Sequence, residues 1–185
     1  MQQGKEEEAI VLDFLPNGYP FDTKAKAVKT PIVQAIGKNH FTLLELVPKK
    51  GVFLQPYEHV YIGEAKRDKI HHINGKIEVS KLTETAKSEL EHVITDLVKK
   101  NEPFFVEFFN KSQPLSTRMH VIELLPGVGK KHMWEIIDER RAEPFKNFED
   151  IKKRVKLMPD PIKVITRRII EELSGNEKHY VFVQR

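Results

Sequence analysis

The chain reads as an α+β protein in two parts, and three observations carry that reading. Short apolar runs separated by turn residues occupy most of the first 112 positions, the pattern of a small antiparallel β structure. One stretch with apolar residues at helical spacing, 83–100, interrupts them. From 113 onward the spacing is helical almost to the end, with breaks at Gly and Pro that divide it into hairpins. The expected division is a β domain over 1–112 and an all-α module over 113–185, whose last residues return to the β part as a strand.

In order along the chain, residues 7–15 contain Ala9-Ile10-Val11-Leu12, a strand closed by Pro16-Asn17-Gly18. Residues 31–36 and 41–47 are two further strands, joined by the hairpin-type link Gly37-Lys38-Asn39-His40. Pro48-Lys49-Lys50-Gly51 is a turn, and 59–62 is another apolar and aromatic run. Residues 70–73 and 76–79 flank Asn74-Gly75, the strongest short hairpin signal in the chain. A helix follows over 83–100, capped by Thr83, with Ala86, Leu90, Val93, Ile94, Leu97 and Val98 on one face. Residues 104–109, apolar except for Glu107, are expected to form a buried closing strand. Strands with one covering helix make an OB-like β-barrel.

The second part is organised around Leu124-Leu125-Pro126-Gly127-Val128-Gly129-Lys130-Lys131. Before it, 116–124 reads as helix, with Ser116 as N-cap and Met119, Ile122 and Leu125 on one side. After it, 130–141 carries Met133, Trp134, Ile136 and Ile137. Two helices on so short a link must fold back on each other. Gly127 and Gly129 permit positive φ and close approach of another molecule to the backbone. Val128 is placed to plug the helix pair, and the amides of Val128 to Lys131 lie at a helix N-terminus without intrahelical partners. Such amides, at the positive end of a helix dipole and beside Lys130 and Lys131, suit a phosphate and carry no base information.

These residues resemble the helix-hairpin-helix motif, which binds DNA and RNA backbones without sequence specificity. Leu125, Pro126, Gly127, Val128, Gly129 and Ile136 match its pattern; Met133 stands where the family has a small residue. Further on, Asn147 caps 148–155, with Phe148, Ile151 and Val155 along one face. Leu157-Met158-Pro159-Asp160-Pro161-Ile162 then leads into a helix ending at Leu173. This reads as a second, degenerate copy of the hairpin. Pro161 has no N–H and Asp160 repels phosphate, so the copy is expected to be structural. Arg140, Arg141, Lys152, Lys153, Arg154, Lys156, Arg167 and Arg168 are expected on outer helix faces, and 179–184 alternates as a strand.

Composition bounds the partners. Hydrophobic residues at 39% and charged residues at 31% fit a globular chain. The absence of cysteine excludes a disulfide scaffold and any thiolate metal site, and agrees with a cytoplasmic location. No apolar run has the length of a membrane span, and the acidic first residues are unlike a signal peptide. The net charge is +4. From Ser116 onward 15 Lys and Arg stand against 11 Asp and Glu, while the first 115 residues balance, so the second part carries the whole excess, which agrees with a polyanion partner, though an ordinary surface of interspersed charge is compatible with +4 as well.

The link 16–30 carries Tyr19, Phe21, Lys24, Lys26 and Lys29. On an OB-like domain the corresponding loop and the exposed face hold single-stranded nucleic acid, aromatics stacking bases and lysines neutralising phosphates. Tyr57, Tyr61, Arg67, Lys69 and His71 extend that face. The whole chain resembles an uncharacterised archaeal family that pairs an OB-like domain with a helix-hairpin-helix domain and is described as RNA- or nucleotide-binding. The likeness is sharpest at 124–139 and at Gly63-Glu64-Ala65-Lys66-Arg67-Asp68-Lys69-Ile70-His71-His72-Ile73. The resemblance implies a binding role, RNA before DNA, and no catalytic residues or cofactor.

Enzyme chemistry is sparse. Gly127-Val128-Gly129-Lys130 lacks the glycine spacing of a nucleotide P-loop. His71 and His72, adjacent on a strand, are expected to point to opposite faces and so not to share a metal. Glu6-Glu7-Glu8 could mimic a metal-binding carboxylate cluster, but an acidic run of this kind is expected to be solvated. Two readings remain: a non-catalytic nucleic-acid-binding protein that uses the hairpin and the OB-like face, and a protein-interaction module that uses the same hairpin within a ribosomal or repair assembly.

Overall fold

The computed structural model describes residues 4–20 and 30–184. Its chain divides into two compact units: residues 1–93 with 173–175 and 182–185, and residues 94–172 with 176–181.

The first unit is built on a curled antiparallel sheet. Strand β1 (Glu8–Leu15) pairs with both β2 (Ile32–Gly37) and β4 (His59–Tyr61). Strand β3 (Leu43–Pro48) pairs with β2 and with β5 (Ile70–Lys76), which gives the order β4-β1-β2-β3-β5. Ala9, Ile10, Val11 and Leu12 are all buried, so both faces of β1 are covered, as its unbroken apolar run demands. Val33, Ala35, Leu44, Leu46, Leu54, Val60, Ile62 and Ile70 join Ala9 and Val11 in the core. Helix α1 (Glu84–Lys100) begins where the sequence places it. The Thr83 hydroxyl accepts from the Ala86 amide at 3.0 Å and donates to Asp13 at 2.6 Å. Gln34, fully buried, accepts from the Thr83 amide and donates to the Lys81 carbonyl, both at 2.9 Å, which fixes this helix start on β2.

The second unit contains α2 (Glu102–Lys111), a two-stranded ribbon of β6 (Pro114–Ser116) and β7 (Met119–His120), a 3-10 turn over Val121–Leu124, and helices α3 (Lys130–Ala142), α4 (Phe148–Arg154) and α5 (Pro161–Leu173). No helix among the described residues is long and apolar enough to cross a membrane.

This architecture corrects the expected one. Strands and helices are interspersed, so the C-terminal part is not an all-α module, and the β part is not a barrel closed by a sixth run. The run 104–109, expected as the closing strand, is the middle of α2. Pro103 sits in its first turn, and Phe105, Val106 and Phe109 are buried at helical spacing while Phe104 faces out. Residues 116–124 are no helix. Thr117 and Arg118 turn the chain between β6 and β7, and His120, not Ser116, is the N-cap of the short 3-10 turn.

Asn74-Gly75 is not a hairpin either. Strand β5 runs through it, with Gly75 opposite Glu45 and Ile73 opposite Leu46, so Asn74 is the extra residue of a bulge. Its amide donates to the Glu45 carboxylate, which gives the turn-forming side chain a partner inside the sheet. Residues 179–184 form no strand; their amides reach irregular partners, Gln184 donating to the His40 carbonyl at 3.3 Å.

Candidate nucleic-acid interface

The bend between the 3-10 turn and α3 is built from inside outward. His120 Nδ1 accepts from the Ile122 amide at 3.2 Å, and the Glu123 carboxylate accepts from the His120 amide at 2.8 Å, a reciprocal cap on the incoming turn. The Leu125 amide donates to the Ile122 carbonyl and the Val128 amide to the Leu125 carbonyl. Gly127 takes φ 80°, the left-handed region its missing Cβ makes free. Ile122, Leu125 and Val128 are buried, so Val128 plugs the bend as its sequence position suggests.

Gly129 is the N-cap of α3, its carbonyl accepting from the Met133 amide at 3.0 Å. It has no side chain to cap the helix. The amides of Gly129, Lys130, Lys131 and His132 have no acceptor among the described residues. The sequence places Val128 among the free donors; the structure spends its amide on the bend and adds that of His132. Gly127, Gly129, Lys130 and Lys131 are exposed, and a Cβ added at Gly129 would meet nothing within 4 Å.

The second bend repeats the first with one residue more. Met158 donates to the Val155 carbonyl as Val128 does to that of Leu125, and Val164 donates to the Asp160 carbonyl as Met133 does to that of Gly129. Leu157, at φ 57°, stands where Gly127 stands, and Pro159 is the extra residue. Here the helix start is already filled: the Asp160 carboxylate accepts from the Ile162 amide at 2.9 Å, and Pro161 has no N–H. The two bends are neighbours, since a Cβ on Gly127 would lie 3.6 Å from Pro159 Cγ. The Glu135 carboxylate on α3 holds the Lys156 amide at 2.8 Å.

Many basic side chains of this unit are engaged within the protein, while others, Lys99, Lys100, Arg118 and Lys178 among them, make no ion pair among the described residues. Lys111, Arg141, Lys146, Lys152, Arg154 and Arg167 are each ion-paired. Arg140 donates to the Phe109 and Ser112 carbonyls at the end of α2. Arg168, expected on an outer face, is buried. It pairs with buried Glu172 at 2.8 Å and donates to the Leu124 carbonyl at 3.2 Å, so it supports the first bend from beneath. Lys130, Lys131, Lys153, Lys156 and Lys163 flank the two bends and make no ion pair among the described residues.

Near the bends, sequence reasoning misses the exposure of Trp134, at 56%, and of Leu157, at 87%. For Trp134 a signal is present. It lies one position off the Met133, Ile136, Ile137 stripe that is buried.

The β unit is less open than its sequence suggests. Phe21, Lys24, Lys26 and Lys29 lie outside the described residues. The Tyr19 hydroxyl donates to Glu45 at 2.6 Å and accepts from Gln34 at 3.0 Å. Burial, and then the hydrogen bond to the Glu45 carboxylate, push that phenol up to about 12. Its ring lines a cavity of about 610 Å³ with Glu45, Asn74, Gly75, Lys76, Ile77 and Lys81. Tyr57 bonds Glu89, the Tyr61 hydroxyl accepts from the Ala65 amide, Arg67 donates to the Gly63 carbonyl and Lys69 pairs with Glu58. His71 and His72 do converge, against expectation, their Nδ1 atoms 2.7 Å apart. A second register shift, with Val47 opposite His72 and Pro48 opposite Ile70, leaves His71 as an extra residue and re-aims its ring. No group of three or more metal-ligating side chains occurs among the described residues.

The fold is an α+β one, with a curled five-stranded antiparallel sheet and interspersed helices. The chain belongs to the family described as "Protein of unknown function (DUF655)", whose model matches residues 5–184. It is 45% identical over 181 residues to the uncharacterised protein MJ0038 of Methanocaldococcus jannaschii, a match covering 97% of this chain and 80% of that one. It is also similar to the crystal structure of Af1531 from Archaeoglobus fulgidus, with a TM-score of 0.87 and 43% identity over 97% of this chain and 100% of that one.

Proposed function

We propose that this protein binds nucleic acid without catalysing a reaction on it, and that it does so by seating a backbone phosphate on the first bend. The observation that supports this most is the set of amides from Gly129 to His132, without an acceptor among the described residues, at the start of a 13-residue helix whose Lys130 and Lys131 are exposed and make no ion pair among those residues. Helix dipole, bare donors and mobile cations act on the same point, and each favours an anion. Phosphate geometry is common to RNA and DNA, and RNA as the preferred partner rests on the family resemblance alone.

Binding of a fluorescent RNA stem-loop at low salt tests the reading. Replacing Lys130 and Lys131 together by Ala is expected to weaken binding and to reduce its salt dependence, because counterions are no longer released at those positions. Absence of binding at low salt would instead favour a protein-interaction module, the second reading, which the exposed Trp134 on α3 supports.

A further inference from the structure

We propose that the second bend presents Leu157 as an apolar wedge, seated against a base step of the strand whose phosphate the first bend holds. This rests on the nucleic-acid reading above and adds a kind of contact that reading lacks: base surface, in place of phosphate.

Leu157 is unfavourably placed twice over. It holds φ 57°, a conformation that glycine takes freely and leucine does not, and its side chain is 87% exposed. The same turn one hairpin earlier is made with Gly127. No burial within the described unit offsets either cost, which leaves the side chain open to a partner.

The surroundings indicate what that is. Lys153, Lys156 and Lys163 lie within a few residues and are unpaired among the described residues, and the first bend, with Lys130 and Lys131, is adjacent through the approach of Gly127 to Pro159. An exposed apolar tip with free cations near it in sequence matches a polyanion whose interior surface is apolar. Nucleic acid has that arrangement, and apolar side chains inserted at a base step are a recurring way to grip it. Since Asp160 and Pro161 close this helix start to phosphate, the two bends divide the work: the first holds charge, the second holds a base face.

Leu157→Gly keeps the turn, relieves the backbone and removes only the wedge. It is to be compared with the native chain and with Leu157→Met on an RNA stem-loop and on a DNA duplex, each carrying 2-aminopurine. The native chain and Leu157→Met are expected to brighten the probe as its stacking is disturbed. Leu157→Gly is expected to bind about tenfold more weakly, with an unaltered salt slope and no brightening. If Leu157→Gly binds and brightens like the native chain while Lys130→Ala with Lys131→Ala binds weakly, the wedge is overturned and the phosphate site stands. If the native chain binds neither probe at low salt, the nucleic-acid reading falls and the wedge with it.

Discussion

Gly127 and Gly129 look alike in sequence and are under different constraints. Gly127 needs its φ of 80°, so Gly127→Ala should cost about 1–2 kcal/mol of folding stability, read by urea denaturation. Gly129 sits at φ −89° with open space around its Cβ position. There an aspartate can cap the free amides itself. Gly129→Asp is expected to leave stability equal or raised by a few tenths of a kcal/mol while abolishing nucleic-acid binding. A variant that loses both would mean that this position is structural.

His120 carries a pH dependence. Burial, and next the positive charge of Arg140, hold its imidazole below the ordinary value of 6.5. The cap needs the neutral ring, because Nδ1 must accept from the Ile122 amide. The folded chain therefore resists protonation more than the unfolded one. The contribution of His120 is complete above pH 6.5 and is lost as pH falls below it. His120→Asn, which retains an acceptor, should lose less stability than the native chain between neutral and mildly acidic pH. Equal losses would remove His120 from the account.

At the scale of elements, the bend is supported by α5. Arg168 and Glu172 form a buried pair, and Arg168 also reaches the Leu124 carbonyl. Arg168→Met strands Glu172 as a buried charge and is expected to cost about 3–5 kcal/mol; adding Glu172→Leu should recover part of that. Parallel denaturation curves of the two variants decide it. Legible in the sequence at this scale is whatever depends on neighbours along the chain: the Thr83 cap, the Asn147 cap, which accepts from the Asp150 amide at 2.8 Å, and the start of α3. Arg168 is not legible, because its partners, Leu124 and Glu177 among them, are not its neighbours in sequence, and charged helix positions are exposed by default. The run 104–109 is ambiguous because five apolar residues in six fit a buried strand and a buried helix equally. Pro103 before it can end one helix or open the next, and here it opens α2.

For the whole molecule, the same limit explains the architecture. Strand pairing is set by contacts between segments far apart, so the bulges at Asn74 and His71 and the order β4-β1-β2-β3-β5 leave no local trace. The first bend is legible because its chemistry is local: two glycines, a plug and two lysines within five residues. The second bend is visible as a repeat, but the exposure of Leu157 is not, since a leucine in sequence reads as core. The charge excess after Ser116 also takes on a location. Most of the arginines there bond within the protein, and Lys130, Lys131, Lys153, Lys156 and Lys163, unpaired among the described residues, stand near the bends in sequence.

The most direct measurement is the affinity of the full chain for an RNA stem-loop across a range of salt concentrations, beside the Lys130→Ala, Lys131→Ala double variant. The logarithm of the native affinity should fall linearly with that of the salt, and the variant's slope should be shallower by roughly 0.7–0.9 for each phosphate it no longer neutralises. Identical slopes for the two proteins would show that the amides and lysines of the first bend are not where the backbone is held.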